Sequence, residues 1–193
     1  MTDLRAVAWE AYQHRGACQR YPELAGALEH VAALRPRLLL EIGVDSGGTL
    51  FCWRQLGIET FAITLPVPGP QYVKTHGAEL LWGDSHDSAS YEWIWARTLG
   101  RHSPRLLDVL FIDGDHSYEG ARADFEDYEG LVRDGGIVLI HDVLHADLLP
   151  GVVKLWGELQ QEFPGQCVTL PGDETEPAGF GVLTIRRGTD GHG

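Results

Sequence analysis

The pattern of apolar and polar positions alternates between two periods along the chain. The segment "PELAGALEHVAAL" repeats apolar residues every three or four positions, at Leu24, Leu28, Val31 and Leu34. The next segment, "RPRLLLEIG", is a short continuous apolar run, which is typical of a strand buried on both faces. A helix followed by a buried strand is therefore predicted here.

The same alternation recurs along the rest of the chain. Helix "GTLFCWRQLG" precedes strand "TFAITL", and strands "AELLWGD", "DVLFIDGD" and "GIVLIHDV" precede helices "SASYEWIWARTL", "YEGARADFEDYEGLV" and "GVVKLWGELQQEF". This order predicts an α/β fold with a doubly wound, mostly parallel sheet. The runs "CVTL" and "FGVLTI" predict a closing pair of strands at one edge.

The most regular helix is predicted over residues 118–132. Its apolar positions step by three and four, Ser117 is a good N-cap, and Gly135 and Gly136 mark its end. The stripe that results is expected to lie on the sheet.

Length and charge narrow the function classes. With 193 residues we expect one domain over 1–193, with an N-terminal helical cap over 1–35 and a flexible tail over 186–193. The net charge of -13, with no basic patch, makes nucleic acid an unfavourable partner. The sequence contains no run of about 18 apolar residues, which a membrane-spanning helix would need. The N-terminus lacks a secretory pattern, so a cytoplasmic location is expected. The three cysteines form no C-x-x-C pair.

Ligands of an open parallel sheet bind beyond the carboxyl ends of its strands. The first strand ends in "EIGVDSGGT", which supplies Glu41, Gly43, Gly47 and Gly48. Glycines there let a ligand approach the following helix N-terminus, or serve only the geometry of the turn. The spacing is neither a dinucleotide fingerprint nor a P-loop, which counts against NAD and ATP.

The third strand ends with Asp84 and Ser85, which either recognise a base or ribose edge or cap the next helix. The fourth strand ends in "DGDH", with Asp113 and His116. The fifth ends in "HD", with His141 following the apolar run. We expect these two strands to be neighbours, so that two clusters of oxygen and imidazole ligands face one crevice.

Such a set of side chains suits a divalent cation and a base. Carboxylates favour Mg²⁺, and an imidazole shifts the preference toward Mn²⁺, Fe²⁺ or Zn²⁺. Asp113 and Asp142 are the first ligand candidates and His141 is the third. His116 is the candidate general base, and Asp115 either orients it or lies in solvent.

With these residues in view, the chain resembles the class I S-adenosylmethionine-dependent methyltransferases. It is similar to the small O-methyltransferases related to rhamnosyl and macrocin methyltransferases and to proteins labelled cephalosporin hydroxylase. The resemblance runs from about Gln19 to Ile185 and is most specific in "LLLEIGVDSGGTL", "FIDGDHSYEGARADFEDYEGLVRDGGIVLIHDV" and "GVVKLWGEL".

The resemblance implies a seven-stranded sheet with the last strand antiparallel, and S-adenosylmethionine as cofactor. It also implies that Glu41, Gly43 and Gly47 border the methionine part of the cofactor and that Asp84 and Ser85 lie near its adenine. In metal-dependent relatives the position of Asp113 and an acidic pair after strand five hold Mg²⁺.

The resemblance further implies that His116 acts as the base, in a transfer of a methyl group to a hydroxyl oxygen of a small molecule. A homo-oligomer is compatible with such a short enzyme.

Two positions depart from that family pattern. Where such enzymes place an acid for the ribose hydroxyls, this chain has Thr64, which cannot grip a diol as a carboxylate does, so either cofactor affinity is weak or another acid such as Glu59 substitutes. The pair after strand five is His141 and Asp142, so one oxygen ligand becomes an imidazole and metal dependence stays open.

Two alternatives stand beside methyl transfer. One is a methyltransferase-like scaffold that binds a partner without catalysis. The other is a haloacid-dehalogenase-type phosphatase, because "FIDGD" carries an Asp-x-Asp pair.

Overall fold

A computed structural model describes residues 2–66, 73–100, 104–172 and 178–187. The strands are β1 (Leu38–Ile42), β2 (Glu59–Thr64), β3 (Glu79–Trp82), β4 (Leu107–Ile112), β5 (Val132–His141), β6 (Cys167–Leu170) and β7 (Phe180–Thr184). They form one seven-stranded sheet in the order β3-β2-β1-β4-β5-β7-β6. Only β7 runs against its neighbours among these strands. The predicted mostly parallel sheet with an antiparallel last strand is confirmed.

Helices cover both faces of this sheet. They are α1 (Leu4–Glu10), which continues as a π-helical turn (Ala11–Arg15), α2 (Tyr21–Ala33), α3 (Gly48–Gln55), α4 (Ser88–Thr98), α5 (Tyr118–Tyr128) and α6 (Pro150–Glu162). The apolar sides of α1, α2 and α3 pack on one face and those of α4, α5 and α6 on the other. The sheet is therefore doubly wound, as its continuous apolar strands predict.

The predicted end of the helix after Ser117 is wrong by several residues. Helix α5 ends at Tyr128, a 3₁₀ turn follows over Glu129–Leu131, and β5 already begins at Val132. Gly135, with a φ of 72°, and Gly136 lie inside β5, where the pairing with β4 shifts register. A Cβ on Gly136 would stand 2.9 Å from the carbonyl oxygen of Asp108. These glycines serve a bulge between paired strands rather than a helix end.

The two ends of the chain bear on the predicted domain layout. Helix α2 buries Leu24, Leu28 and Val31 against the sheet. Arg187, inside the predicted tail, donates its backbone N–H to Asp134 at 2.9 Å, while residues 188–193 lie outside the described ranges. The division into one domain, a cap and a tail stays a prediction. No helix in the described residues is both long and apolar enough to cross a membrane.

Candidate active site

Sheet register brings the predicted site residues into one row. Ile42 of β1 pairs with Ile112 of β4, and Ile112 pairs with Ile140 of β5. The residues that follow these three are therefore neighbours across the carboxyl edge: Gly43, Asp113 and His141. The predicted adjacency of the fourth and fifth strands is confirmed.

The glycines after β1 are required by the chain itself as well as by any ligand. Gly43 has a φ of 86°, and a Cβ there would overlap the backbone carbonyl of Asp113. A Cβ on Gly47 would overlap the backbone of Lys74, and one on Gly48 would overlap Ala17. All three glycines also line a cavity at this edge. These glycines therefore serve the geometry of the turn and also border a cavity that a ligand could enter.

Asp113, His141 and Asp142 converge on one point. Nδ1 of His141 lies 3.2 Å from Oδ1 of Asp113 and 3.4 Å from Oδ2 of Asp142. Ligand atoms of these three residues lie within 4.8 Å of one another, the one such group of acids, histidines or cysteines found in the described residues. Neighbouring ligands in an octahedral shell with bonds of ~2.1 Å are about 3.0 Å apart, so the spacing suits a small divalent cation.

Asp142 reaches this point from a strained backbone. Its φ is 62°, in the left-handed region that a residue with a Cβ seldom adopts. The turn directly follows β5 and directs the carboxylate back toward Asp113 and His116. Strain at a non-glycine residue is common where a functional side chain must be aimed.

His116 faces the same two carboxylates. Its Nε2 lies 3.1 Å from Oδ2 of Asp142 and 3.4 Å from Oδ1 of Asp113, but in neither case at the angle of a hydrogen bond. The carboxylates of Asp113 and Asp142 raise the pKa of His116 to about 10, against the effect of burial. The imidazole is therefore protonated at neutral pH as long as both carboxylates remain unneutralised.

The four groups perturb one another strongly. Burial alone would favour the neutral acids, yet His141 and His116 outweigh it and hold the pKa of Asp113 and of Asp142 below the usual range. Burial would likewise favour neutral imidazole, but chiefly Asp113, together with Asp142 and Glu23, raises the pKa of His141 well above its ordinary value. Perturbed groups gathered in a crevice are typical of a functional site.

Two residues of this site were missed by the sequence analysis. Gln19 donates its side-chain N–H to Oδ2 of Asp113 at 2.5 Å, and Glu23 lies 3.1 Å from Nε2 of His141. Both are buried. The signal for Glu23 was its place three residues after the N-cap of α2, a position that predicts only helix capping.

Glu41 lies beneath the cavity rather than in its wall. Its carboxylate is fully buried and accepts hydrogen bonds from the hydroxyl of Thr49 at 2.6 Å and from Nε1 of Trp53 at 2.5 Å. Burial raises the pKa of Glu41 to about 8, against the effect of these hydrogen bonds. Its side chain therefore fixes Thr49, which does line the cavity, and its predicted place beside a cofactor stays a prediction.

Two adjoining cavities lie along this edge of the sheet. The first encloses about 320 Å³ between the N-terminal segment and the ends of β4 and β5. The second encloses about 500 Å³ and is lined by the ends of β1, β2 and β3, including Thr64, Asp84 and Ser85. Both are bordered by Gly43, Asp45, Asp113 and His116. Every predicted site residue except Glu41 and Glu59 thus lines one cavity or the other. Glu59 begins β2, at the end of the strand away from this edge, and forms an ion pair with Arg105 at 2.7 Å, so it does not replace the ribose acid.

Thr64 is turned toward the end of β1. Its hydroxyl lies 3.2 Å from both the backbone N–H and the carbonyl oxygen of Val44, accepting from the first and donating to the second. The hydroxyl proton is therefore engaged within the chain. A ligand in the second cavity can only donate to Thr64, because its single proton is already used.

The loop after β3 is braced from below by α5. Asp84 lies 3.0 Å from Nδ1 of His86, whose Nε2 approaches the carbonyl oxygen of Gly120 at 3.1 Å. Tyr128 donates to the carbonyl oxygen of Ser85 at 2.6 Å. The loop that presents Asp84 and Ser85 is thus held to α5 by polar contacts.

Asp115 has a local role in the structure. Its Oδ1 accepts the backbone N–H of Ser117 at 2.8 Å, next to the start of α5, and the residue is exposed. That backbone hydrogen bond is the main cause that lowers the pKa of Asp115. Of the two readings of Asp115, the exposed position agrees with the solvent one.

An open sheet in this order, with a polar crevice where the connections diverge at β1 and β4, defines the class I methyltransferase fold. The methyltransferase domain family matches residues 40–143, more than half of the sequence. The chain belongs to this family, which confirms the resemblance in its sequence.

Solved structures and a curated relative agree with that fold. The methyltransferase MycE of the mycinamycin biosynthetic pathway, solved with Mg and SAH, has a TM-score of 0.68 at 19% identity over 98% of this chain and 55% of its own. An O-methyltransferase from Bacillus cereus, solved with SAH, has a TM-score of 0.64 at 18% identity over 96% of this chain and 92% of its own. The uncharacterized protein y4gI of Sinorhizobium fredii is 28% identical over 142 residues, covering 67% of this chain and 16% of that protein. The chain thus spans about half of MycE and a small part of y4gI.

Proposed function

We propose that the protein transfers a methyl group from S-adenosylmethionine to a hydroxyl oxygen of a small molecule, with a divalent cation, Mg²⁺ or Mn²⁺, assisting. The observation that carries the proposal is the wall shared by the two cavities. Asp113 and His116 border both, so a methyl donor in one and an acceptor in the other would meet at these side chains.

The second cavity fits the cofactor. Its volume of about 500 Å³ is in the range of small-molecule sites, and it combines apolar walls with a few polar groups. Gly43 and Asp113 border this cavity and would hold the methionine end, which would reach toward Gly47 and Gly48 in the lining of the first cavity. Asp84 and Ser85 would hold the adenine end, with Thr64 also lining this cavity. When bound, the cofactor supplies an electrophilic methyl group on a sulfonium centre.

The group of Asp113, His141 and Asp142 fits a divalent cation. Two carboxylate oxygens and one imidazole nitrogen already face one point, and the buried Nε2 of His116 beside them has no hydrogen bond. A bound cation would supply Lewis-acid stabilisation of an alkoxide.

The chain's own residues would carry the proton transfer. His116 stands at the junction of the cavities, where it can accept the proton of the acceptor hydroxyl at Nε2. A base must be neutral, whereas Asp113 and Asp142 raise the pKa of His116 and favour its protonated form. A cation bound between these carboxylates would weaken that effect. Through these two carboxylates, cation binding would therefore favour the neutral form of His116, which is the form that can accept a proton.

The proposal extends to the cellular location of the protein, its acceptor and its oligomeric state. The three cysteines are free thiols, as is common in a reducing compartment such as the cytoplasm. The first cavity is lined by polar and small residues, with no Phe, Tyr or Trp among its described lining, which suits a polar hydroxyl acceptor. A single domain acting without nucleic acid or membrane, alone or as a homo-oligomer, completes the proposal.

Titration calorimetry of the metal-stripped protein with S-adenosylhomocysteine (SAH), repeated with Mg²⁺ and Mn²⁺, tests it first. We expect SAH to bind. In a separate assay, we expect methyl-labelled S-adenosylmethionine to pass its methyl group to members of a panel of hydroxyl compounds and leave SAH. If the folded protein binds no SAH under any of these conditions, the proposal is wrong and the non-catalytic scaffold is favoured. The phosphatase alternative is disfavoured by the family match and by Asp115, which makes the hydrogen bond next to the start of α5 instead of facing Asp113.

A further inference from the structure

Two residues of the N-terminal segment, Gln19 and Glu23, contact the atoms of Asp113 and His141 that point away from the candidate cation site. A carboxylate has two oxygens and an imidazole two nitrogens, so each ligand has one atom for the cation and one for the protein. The side-chain N–H of Gln19 donates to Oδ2 of Asp113 at 2.5 Å, while Oδ1 of Asp113 faces His141. Glu23 takes Nε2 of His141 at 3.1 Å and leaves Nδ1 facing both aspartates.

Glu23 is itself held firmly. Its Oε1 accepts the backbone N–H of Arg20 and its Oε2 that of Gly179, each at 2.7 Å. The side chain is fully buried, and these donors come from opposite ends of the chain. Glu23 can therefore be neither swung away nor hydrated without breaking backbone hydrogen bonds in the interior.

This arrangement decides which nitrogen of His141 carries a fixed proton. A carboxylate that accepts two backbone N–H bonds offers only acceptor atoms to the ring, so Nε2 must be the donor. Nδ1 is then the nitrogen that can lose its proton and present a lone pair toward Oδ1 of Asp113 and Oδ2 of Asp142. Carboxylates that orient metal-binding histidines in this way are common around metal sites.

We propose that Glu23 and Gln19 are positioning residues that preset the cation site, Glu23 by keeping the proton of His141 on Nε2 and Gln19 by turning Oδ1 of Asp113 inward. The inference rests on the cation site of the proposed function. It also assigns the site to a cation that accepts imidazole, with Mn²⁺ bound more tightly than Mg²⁺.

The test is Mn²⁺ binding, followed by the electron paramagnetic resonance signal of the free ion, with the full chain and no substrate. Glu23→Gln keeps the size of the side chain, but an NH2 group at the position of Oε1 donates to Nε2 and so favours the proton on Nδ1, at the loss of the hydrogen bond from the backbone N–H of Arg20. We expect Mn²⁺ affinity to fall roughly 10- to 100-fold. Glu29→Gln, an exposed carboxylate on the same helix that lies 3.7 Å from Arg5, is the matched control and should bind Mn²⁺ like the parent protein.

SAH titration without metal separates this inference from methyl transfer. Unchanged SAH affinity in Glu23→Gln, together with weakened Mn²⁺ binding, supports the inference. A parent protein that binds SAH but no Mn²⁺ overturns the inference and leaves methyl transfer standing. A parent protein that binds Mn²⁺ with this dependence on Glu23 but no SAH supports the inference and removes the proposed function.

A second measurement needs no folded Glu23 variant. In the Zn²⁺-loaded parent protein, nitrogen NMR of labelled histidines, assigned with His141→Asn, should show His141 protonated at Nε2 and bound through Nδ1. Coordination through Nε2, or a folded Glu23→Gln protein with parental Mn²⁺ affinity, overturns the inference.

Discussion

The two cavities share a wall, yet they are built by opposite means. In the first, the charged groups are packed against one another, with Gln19 and Glu23 behind Asp113 and His141. In the second, apolar side chains such as Ile63 and Leu65 form part of the wall, and the polar groups are spread over Thr64, the loop after β3 and the shared Asp113 and His116. Charges buried together need partners, so the first cavity is organised before any ligand arrives.

The difference teaches where each kind of specificity resides. Preset carboxylates and imidazoles select a cation and hold a base, and they tolerate little change. A partly apolar cavity with a few polar groups accepts a larger organic ligand through many weak contacts. Substitutions in the shared wall should therefore damage both cavities, whereas substitutions in one should leave the other intact.

The largest effect is expected from the shared wall itself. Gly43→Ala places a Cβ against the backbone of Asp113 at a φ of 86°, and no side-chain adjustment can relieve the overlap. We expect about 3 kcal/mol or more of lost unfolding free energy in urea denaturation, with loss of both SAH and Mn²⁺ binding. Gly57→Ala is the control, since it has a φ of 73° but nothing within 4 Å, and should cost about 1 kcal/mol. Equal losses in the two variants would show that the close approach of β1 and β4 is not the cause.

The next largest effect should separate cation binding in the first cavity from SAH binding in the second. Asp142→Asn removes one cation ligand and one partner of His116, so Mn²⁺ affinity and methyl transfer should each fall about 100-fold or more. SAH affinity measured without metal should stay within about twofold of the parent value. Asp115→Asn, on the neighbouring exposed turn, should change each quantity far less. Similar losses from Asp142→Asn and Asp115→Asn would contradict this division of roles.

A pH effect should come from the floor of the first cavity. Glu41 has its pKa raised from 4.5 to about 8 in the folded protein. Between these values the unfolded chain releases the proton and the folded chain keeps it, so stability falls as pH rises. Glu41→Gln should remove about 1–3 kcal/mol of that fall between pH 5 and 8, measured by urea denaturation at several pH values. Parallel stability profiles for the parent and Glu41→Gln would argue that Glu41 is ionised when folded.

The smallest effect should sharpen the description of the second cavity. Thr64→Val removes a hydroxyl that is bonded to Val44 on both sides. We expect about 1 kcal/mol of lost stability but less than a threefold change in SAH affinity by calorimetry. Thr60→Val, on the same strand and outside the cavity, is the control, because its hydroxyl also bonds only to backbone. A tenfold or greater loss of SAH affinity in Thr64→Val alone would show that Thr64 holds the ribose directly.

Much of the fold followed from the sequence. Except at the start of β5, the strand limits agree with the apolar runs to within about three residues, because a strand buried on both faces excludes polar residues over most of its length. Gly135 and Gly136 misled because the same residue type ends helices and permits bulges, and only the register of β4 against β5 distinguishes the two uses.

The sequence by itself determined the order of strands and helices along the chain and the meeting of Asp113 and His141 at the carboxyl edge. Both follow from local periodicity and from the rule that ligands lie beyond parallel strands. Only the tertiary structure decided what stands behind those ligands. Gln19 reaches Asp113 across 94 positions of the chain and Glu23 reaches His141 across 118. No periodicity records such contacts, because they arise where the start of helix α2 lies against the finished sheet.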